Sequence, residues 1–331
     1  MIKIAASGSV LIALTIGLAQ AATQSKPNGL QGQLTKLVSG FSGRVGISIQ
    51  DGPSLATIKP ASSFPLQSVM KLVVAAAVLD SVDRGKLRLN DRILVTRSNL
   101  SVYVEPIASL VTTKGYQTTL SDLIHRAIVD SDNAAADILF KKSGGANAIS
   151  SFLKAHKIRG ISVDRNEKQL QSEIRGLKWQ QKYIDPALFD KAVASVPKAQ
   201  RDAAWKAYLT DSRDTASPVG MGAFLQALLE GRLLSKDATK FLIGVMQETK
   251  TGSDRLKAGL SPGWALAHKT GSSGAWSGMT AATNDVGILM APDGAQIPIV
   301  VFVADSTASD AQRAALIADV ARAAIENHVK R

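Results

Sequence analysis

The sequence lacks cysteine and contains only four histidines among its 331 residues. The absence of cysteine excludes disulfide bonds, thiolate metal sites, a cysteine nucleophile and a lipid-bearing cysteine. The histidines are His125, His156, His268 and His328. No two of them have the HxH or HxxxH spacing of metal ligands. The sequence therefore predicts neither a metal nor a cofactor, and it argues against a serine–histidine–aspartate triad.

Long apolar runs are also missing, and the run near the N-terminus is short. Lys3 precedes the apolar residues 10–18, and Ala19-Gln20-Ala21 then supplies the small-x-small pattern of a signal-peptidase site. No later run reaches the roughly 18 apolar residues that a membrane span requires. We therefore expect residues 1–21 to be a signal peptide and the chain to be secreted or periplasmic, without stable membrane insertion after cleavage. An uncleaved anchor is the alternative.

The charge is strongly positive, but it is not gathered into a patch. Lysine and arginine number 39 against 27 aspartates and glutamates, which gives a formal net charge of +12. The basic residues are spread along the whole chain, without the clustering and interleaved aromatics typical of nucleic-acid binding. We therefore expect no nucleic-acid partner. A solvated surface explains the charge, and weak steering of anionic substrates is the alternative.

The order of predicted elements favours an α/β (α+β) fold. Alternating apolar residues predict strands near both chain ends, whereas the middle of the chain has helical spacing. The predicted strands cover residues 43–50, 264–269, 279–290 and 297–304. We expect an antiparallel sheet flanked by helices, built from both chain ends, with an inserted all-helical lobe. Residues 22–64 with 250–331 would form the α/β lobe, and 65–249 the helical lobe.

The helical lobe contains an expanded segment, residues 165–214. Asp185-Pro186 predicts a helix start, and Pro197 should separate this helix from a second one. Trp205 and Tyr208 would share one face of that second helix. The segment is predicted to be a packed helical hairpin; capping a cleft and mediating association are the alternatives.

Three separated segments carry candidate chemistry. In the first, Ser68 and Lys71 are one helical turn apart, so the amine could activate the hydroxyl. The second is Ser131-Asp132-Asn133, with a hydroxyl and an amide, and the third is Lys269-Thr270-Gly271 at the end of a predicted strand. A lysine and a hydroxyl there could hold a carboxylate, and the glycine would let a substrate lie close to the edge strand. Each motif alone is weak, but their order and context together indicate one site.

With these three motifs, the chain resembles the penicillin-recognising serine enzymes, and in detail the class A β-lactamases. The similarity extends from about Gly43 to Ile325. It includes residues 164–167, which are similar to the family loop that bears a deacylating glutamate, and residues 268–274 and 283–287.

The resemblance implies a role for each matching residue. Ser68 would be the acylated nucleophile, with Lys71 and Glu167 sharing base duties and Ser131 passing a proton to the leaving nitrogen. The backbone N–H groups of Ser68 and Ser272 would form the oxyanion hole. Glu167 would also activate the deacylating water, which Gln171 would position. The implied substrate-binding residues are Asn133, Lys269, Thr270, Gly271, Ser272 and Arg255. A solvated loop charge at Glu167 and an ordinary surface arginine at Arg255 are the alternatives.

The sequence also departs from the family pattern. Lys168 and Gln171 stand where the family usually has proline and asparagine. Arg165 and Asp214 resemble a loop-closing ion pair of the family, yet the predicted hairpin lies between them. At the rim of the site, Val104 stands where an aromatic residue is usual, and Tyr103 is one position off register. The departures in the glutamate loop leave acylation almost untouched and put the deacylation rate in doubt, whereas the departure at the rim implies a different substrate preference.

The function implied is that of a β-lactamase acting on a small-molecule β-lactam. A D-alanyl-D-alanine peptidase or transpeptidase, or a slowly deacylating penicillin-binding protein, would use the same three motifs. Glu167 favours the β-lactamase, because the peptidases do not need it. The sequence predicts no oligomeric state.

Overall fold

The structure is a computed structural model that describes Met1 and residues 29–330. Apart from Met1, the predicted signal peptide lies outside the described residues. The α-helices are α1 (Leu30–Val38), α2 (Met70–Asp83), α3 (Leu120–His125), α4 (Asn133–Lys142), α5 (Gly145–Ala155), α6 (Glu167–Glu173), α7 (Pro186–Ala194), α8 (Lys198–Leu209), α9 (Pro218–Leu229), α10 (Lys236–Gln247) and α11 (Asp310–Val329). The strands are β1 (Arg44–Asp51), β2 (Ser54–Ile58), β3 (Phe64–Pro65), β4 (Arg92–Val95), β5 (Tyr116–Thr119), β6 (Thr215–Ala216), β7 (Ala265–Ser272), β8 (Ala275–Trp276), β9 (Met279–Thr280), β10 (Thr283–Met290) and β11 (Gln296–Ala304).

A five-stranded antiparallel sheet joins the two ends of the described chain. Its strand order is β2-β1-β11-β10-β7, so the N-terminal strand β1 pairs with β2 on one side and with β11, from the last quarter of the sequence, on the other. Val45 lies opposite Val303, and Lys269 lies opposite Val286. This arrangement confirms the predicted antiparallel sheet built from both ends. The exact lobe boundaries stay a prediction.

Both faces of the sheet are covered, so β1, β7, β10 and β11 are buried along most of their length. Along β11, Ile299 and Val301 pack into a core shared with α1 and α11, whereas the alternate residues Val300 and Phe302 pack into the core of the helical side. The period of two thus divides one strand between two cores. The predicted buried helix is α2, whose residues 70–79 are all buried.

A short hairpin in the helical part was missed by the sequence reading. Within residues 65–249, expected to form an all-helical lobe, β4 and β5 pair as a two-stranded sheet. Both strands have only four residues, and Arg92 and Leu94 are exposed. Such a short, exposed pair has little of the alternating burial from which strands are predicted.

The expanded segment folds as the predicted pair of helices, α7 and α8, called here the inserted hairpin. Asp185 caps α7 by accepting hydrogen bonds from the N–H groups of Ala187 and Leu188. One part of the segment buries Tyr183 and Phe189 against Val102. The other packs two aromatic residues of α8 against α6, in a cluster of Leu170, Ile174, Trp205, Tyr208 and Ala281. The hairpin is therefore part of the packed structure on both sides.

None of the helices among the described residues has the length and hydropathy needed to cross a bilayer.

Strand β10 can approach β7 closely only because residue 287 is glycine. A Cβ there would lie 2.2 Å from the carbonyl oxygen of Ala267, which is backbone and cannot rotate away. We predict that Gly287→Ala lowers the free energy of unfolding by about 1–3 kcal/mol, as overpacking typically does. Gly244→Ala is the control, because helix α10 leaves open space there, and it should add up to about 1 kcal/mol. Urea denaturation measures both, and equal stability of the two variants would contradict this packing.

Candidate active site

Ser68 lies in a tight turn at the start of the most deeply buried helix. Residues Gln67–Val69 form a 3-10 turn, and α2 continues from Met70. Gln67 has φ 48°, the left-handed region that non-glycine residues rarely adopt. The turn leaves Ser68 partly exposed while Lys71, one turn later, is 1% exposed. The Lys71 Nζ donates a hydrogen bond to the Ser68 Oγ at 2.9 Å, as the i, i+3 spacing predicts.

Lys71 joins the first motif to the second and to the predicted glutamate. Its Nζ lies 2.7 Å from the Ser131 carbonyl oxygen and 2.5 Å from the Asn133 Oδ1. It also lies 3.0 Å from the Glu167 Oε1, and neither side chain of this ion pair is exposed. A buried ammonium is tolerated only when charge and hydrogen bonds compensate it. The surrounding acceptors meet that requirement.

The second motif is held by its aspartate. Asp132 caps α4, its Oδ1 accepting from the Ala135 N–H at 2.9 Å and its Oδ2 from the Ile107 N–H at 2.7 Å. Ser131 before it has φ 59°, and Asn133 opens the helix. The Asn133 Nδ2 donates to the Val102 carbonyl at 2.7 Å. Both ends of this amide are therefore engaged by the protein.

Lys269 brings the third motif to the same point. It projects from β7, and its Nζ donates to the Ser131 Oγ at 3.0 Å. The same Oγ lies 3.2 Å from the Lys71 Nζ, so one hydroxyl stands between two lysines. Burial and the neighbouring Lys71 charge hold the pKa of Lys269 well below its ordinary value. The three motifs thus converge on one buried polar cluster.

The end of β7 lies directly against the turn Gln67–Val69. A Cβ on Gly271 would stand 2.4 Å from the Leu66 carbonyl oxygen and 3.1 Å from the Val69 nitrogen. Gly271 is thus required for the packing of this turn, a role that the sequence reading did not foresee. Thr270 is hydrogen-bonded to Thr251 at 2.6 Å between their hydroxyls.

Arg255 reaches the same edge of the sheet. Its guanidinium donates to the Ser272 Oγ at 2.6 Å and to the Asn284 carbonyl at 2.9 Å. The structure therefore brings Arg255 beside Ser272, at the end of the strand that carries Lys269.

Glu167 is the first residue of α6 and is completely buried. Its Oε1 lies 3.3 Å from the Ser68 Oγ, and its Oε2 accepts from the Gln171 Nε2 at 3.1 Å. Burial alone would raise the pKa of Glu167, but the Lys71 charge and the hydrogen bonds from Gln171, Lys71 and Ser68 outweigh it and hold the pKa below its ordinary value. The side chain is therefore held as a carboxylate beside the serine hydroxyl.

Asp137 holds the backbone of this glutamate, and the sequence reading missed it. Its carboxylate accepts from the Glu167 N–H at 2.6 Å and from the Ser101 hydroxyl at 2.8 Å. Burial raises the pKa of Asp137 to about 6, with Lys168 opposing the rise and Glu167 adding to it. The available signal was an aspartate in the alanine-rich, buried helix α4, where an acid needs partners.

The predicted ion pair closes the segment that contains the inserted hairpin. The Arg165 Nε lies 2.6 Å from the Asp214 Oδ2, while the Asp214 Oδ1 accepts from the N–H groups of Asp164 and Arg165. The Asp214 carbonyl accepts from the Leu66 N–H at 2.8 Å. The pair therefore fixes both ends of the insertion to the chain just before Ser68.

Known proteins are similar to this chain in both sequence and architecture. A sequence model described as the β-lactamase enzyme family matches residues 29–328. The chain belongs to the β-lactamase enzyme family. The extended-spectrum β-lactamase PER-1 of Pseudomonas aeruginosa is 31% identical over 334 residues, covering 100% of this chain and 97% of PER-1.

Two solved structures superpose over nearly the whole chain. A β-lactamase from Chitinophaga pinensis DSM 2588 has a TM-score of 0.73 at 30% identity, over 89% of this chain and 97% of its own. A representative class A β-lactamase from Bacteroides cellulosilyticus DSM 14838 has a TM-score of 0.74 at 25% identity, over 91% and 98%. The family resemblance read from the three motifs is confirmed.

The loop-closing ion pair allows a direct test of its structural weight. We predict that Asp214→Ala costs about 3 kcal/mol, the lower end for a broken buried pair, because Arg165 keeps Glu173 and Asp211 as partners. Lys198→Ala breaks an exposed pair with Asp202 and should cost less than about 1 kcal/mol. Denaturation with urea compares the two. Similar small losses in both variants would show that the buried pair does not secure the segment.

Proposed function

We propose that this chain is a β-lactamase of the class A type, which opens the β-lactam amide through a serine acyl-enzyme and then hydrolyses the acyl-enzyme with the help of a glutamate. The observation that carries the proposal is the set of contacts around Lys71, which brings Ser68, Ser131 and Glu167 within hydrogen-bond distance of one amine. The β-lactamase names of the relatives support the same substrate class.

In acylation, the Ser68 Oγ would attack the lactam carbonyl while the N–H groups of Ser68 and Ser272 stabilise the developing oxyanion. Glu167 is held as a carboxylate 3.3 Å from that Oγ and can take its proton, and Lys71, at 2.9 Å, shares the proton transfer. As the carbon–nitrogen bond breaks, Ser131 passes a proton to the leaving nitrogen. Lys71 and Lys269 on either side of its hydroxyl can both return a proton to Ser131.

In deacylation, Glu167 would remove a proton from a water molecule that attacks the ester carbonyl. The ester bond to Ser68 breaks, and the serine oxygen recovers the proton from Glu167, 3.3 Å away. Gln171 contacts the outer oxygen of this carboxylate and would orient the water together with it. Metal and cofactor have no part in the proposed steps.

Substrate recognition would fall to the end of β7 and to the second motif. Lys269, Thr270 and Arg255 supply two cationic groups and a hydroxyl for the substrate carboxylate, and Gly271 and Ser272 continue the same edge. Asn133 donates its amide N–H to Val102. A substrate acyl group that used this amide N–H would have to replace that contact. The Asn133 Oδ1 also accepts a hydrogen bond from Lys71 and so helps to hold its amine.

A slowly deacylating penicillin-binding protein is the second candidate. Lys168 and Gln171 favour it, because they replace the usual proline and asparagine, and the longer glutamine would place an attacking water differently.

We expect export of the chain, and a protease-accessibility assay on intact cells would test this.

The central variant is Glu167→Gln. Without a carboxylate base, deacylation should slow more than acylation at Ser68. A penicillin adduct should then accumulate, and turnover should fall by at least about a hundredfold. Mass spectrometry over minutes measures the adduct, and Ser68→Ala is the control that should bind none. Undiminished turnover by Glu167→Gln would show that deacylation does not need the glutamate. Labelling of Ser68→Ala would show that the serine is not the acylated residue. A persistent adduct on the unaltered protein would favour the second candidate.

A further inference from the structure

The Tyr208 hydroxyl of the inserted hairpin contacts the turn Gln67–Val69, called here the nucleophile turn because it carries the proposed nucleophile Ser68. Tyr208, on α8, accepts a hydrogen bond from the Gln67 Nε2 at 2.5 Å. Gln67 immediately precedes Ser68 and is 1% exposed. The contact joins residues separated by 141 positions in the sequence.

From Gln67 the hydrogen bonds continue to the glutamate. The Gln67 Oε1 accepts from the Gln171 Nε2 at 3.2 Å, and the same Nε2 donates to the Glu167 Oε2 at 3.1 Å. An amide nitrogen has two protons, so Gln171 can serve both acceptors at once. An unbroken path of side chains therefore leads from the inserted hairpin to the carboxylate.

The partners also fix the orientation of each amide. Were the Gln67 amide reversed, its nitrogen would face the Gln171 nitrogen, donor against donor. The Gln171 Oε1 accepts from the Arg175 guanidinium at 3.1 Å, which holds that amide from its other end. Burial raises the pKa of Tyr208, so its hydroxyl stays protonated and neutral.

Tyr208 itself is firmly held. It is 4% exposed and packs beside Trp205, with 6.1 Å between ring centroids, against Leu170 of α6 and Ile174 directly after it. The helix that carries Glu167 and Gln171 is thus packed against the helix that carries Tyr208. Gln67 at its left-handed φ requires such support from its surroundings.

We propose that Tyr208 is a positioning residue for deacylation, which acts by holding Gln67 so that Gln67 holds Gln171 against Glu167. The proposal rests on the function proposed above. It gives the inserted hairpin a task in the reaction: restricting a glutamine that is longer and has more rotamers than the usual asparagine. Acylation can also use Lys71, which contacts the Ser68 Oγ directly, and it needs no attacking water, so it should depend less on this path.

The test is Tyr208→Phe, which removes the hydroxyl and keeps the ring. Tyr183→Phe is the matched control, because Tyr183 is a buried tyrosine of the same segment in a separate cluster with Val102 and Phe189. Stopped-flow kinetics with a chromogenic cephalosporin, together with mass spectrometry of the adduct, separate the two steps. We expect Tyr208→Phe to slow deacylation about tenfold, as small displacements of catalytic groups do, with acylation within twofold of the parent and Tyr183→Phe unchanged.

A double-mutant cycle with Gln67→Asn tests the path itself. Asparagine tolerates the left-handed backbone but is one methylene too short to reach both partners. If Tyr208 acts through Gln67, the effects on deacylation are non-additive, and the double variant resembles Gln67→Asn alone. Additive effects overturn the proposal. Should Tyr208→Phe fail to fold, Gln67→Asn alone decides, with slowed deacylation at retained acylation in support and normal deacylation against.

The outcomes separate this proposal from the function on which it rests. If the parent protein forms no acyl-enzyme, or Glu167→Gln turns over normally, the proposed function is wrong. If both behave as proposed and Tyr208→Phe deacylates at the parental rate, or loses acylation and deacylation equally, only the positioning role of Tyr208 is wrong.

Discussion

The buried ion pair between Lys71 and Glu167 is the interaction on which the site depends. The Lys71 Nζ and the Glu167 Oε1 lie 3.0 Å apart, and neither side chain is exposed. Removing either partner would leave an uncompensated charge in the interior, which is far more costly than losing an exposed pair. The need to compensate Lys71 explains why Ser131 and Asn133 are brought to the same amine from a different helix. The stability of the buried pair therefore itself requires these residues.

The inserted hairpin is accommodated without disturbing this pair. The Arg165–Asp214 pair joins the two ends of the insertion directly. The return strand β6 pairs with β3, directly before the nucleophile turn, with Phe64 opposite Ala216. The added helices then pack against α6 and against Val102, so the expansion adds contacts around the site. Helix α6, which carries Glu167, is therefore supported by the packing of α8 against it.

Part of the arrangement could be predicted from local spacing. Ser68 and Lys71 could be paired from their i, i+3 spacing, because short-range geometry determines where such side chains point. Their meeting with Ser131 and Lys269 was expected from the order of the three motifs and from the family resemblance. The sheet built from both chain ends followed from the alternation in residues such as those of β11. Gln67, Asp137 and Tyr208 could not be found in this way. Their roles arise only when distant segments meet, and single polar residues in apolar segments give no sign of which segments those are.

The most direct measurement is the titration of the Glu167 carboxyl by carbon-13 NMR, in the parent protein and in Lys71→Met. Since Lys71 and the hydrogen bonds lower this pKa, we expect the midpoint below the ordinary 4.5. The stabilising ion pair should then be present above pH 4.5 and be lost as the pH falls through that midpoint. In Lys71→Met, burial without the opposing charge should raise the midpoint above 4.5. A midpoint at or above 4.5 in the parent, or the same midpoint in both proteins, would contradict the central role of this pair.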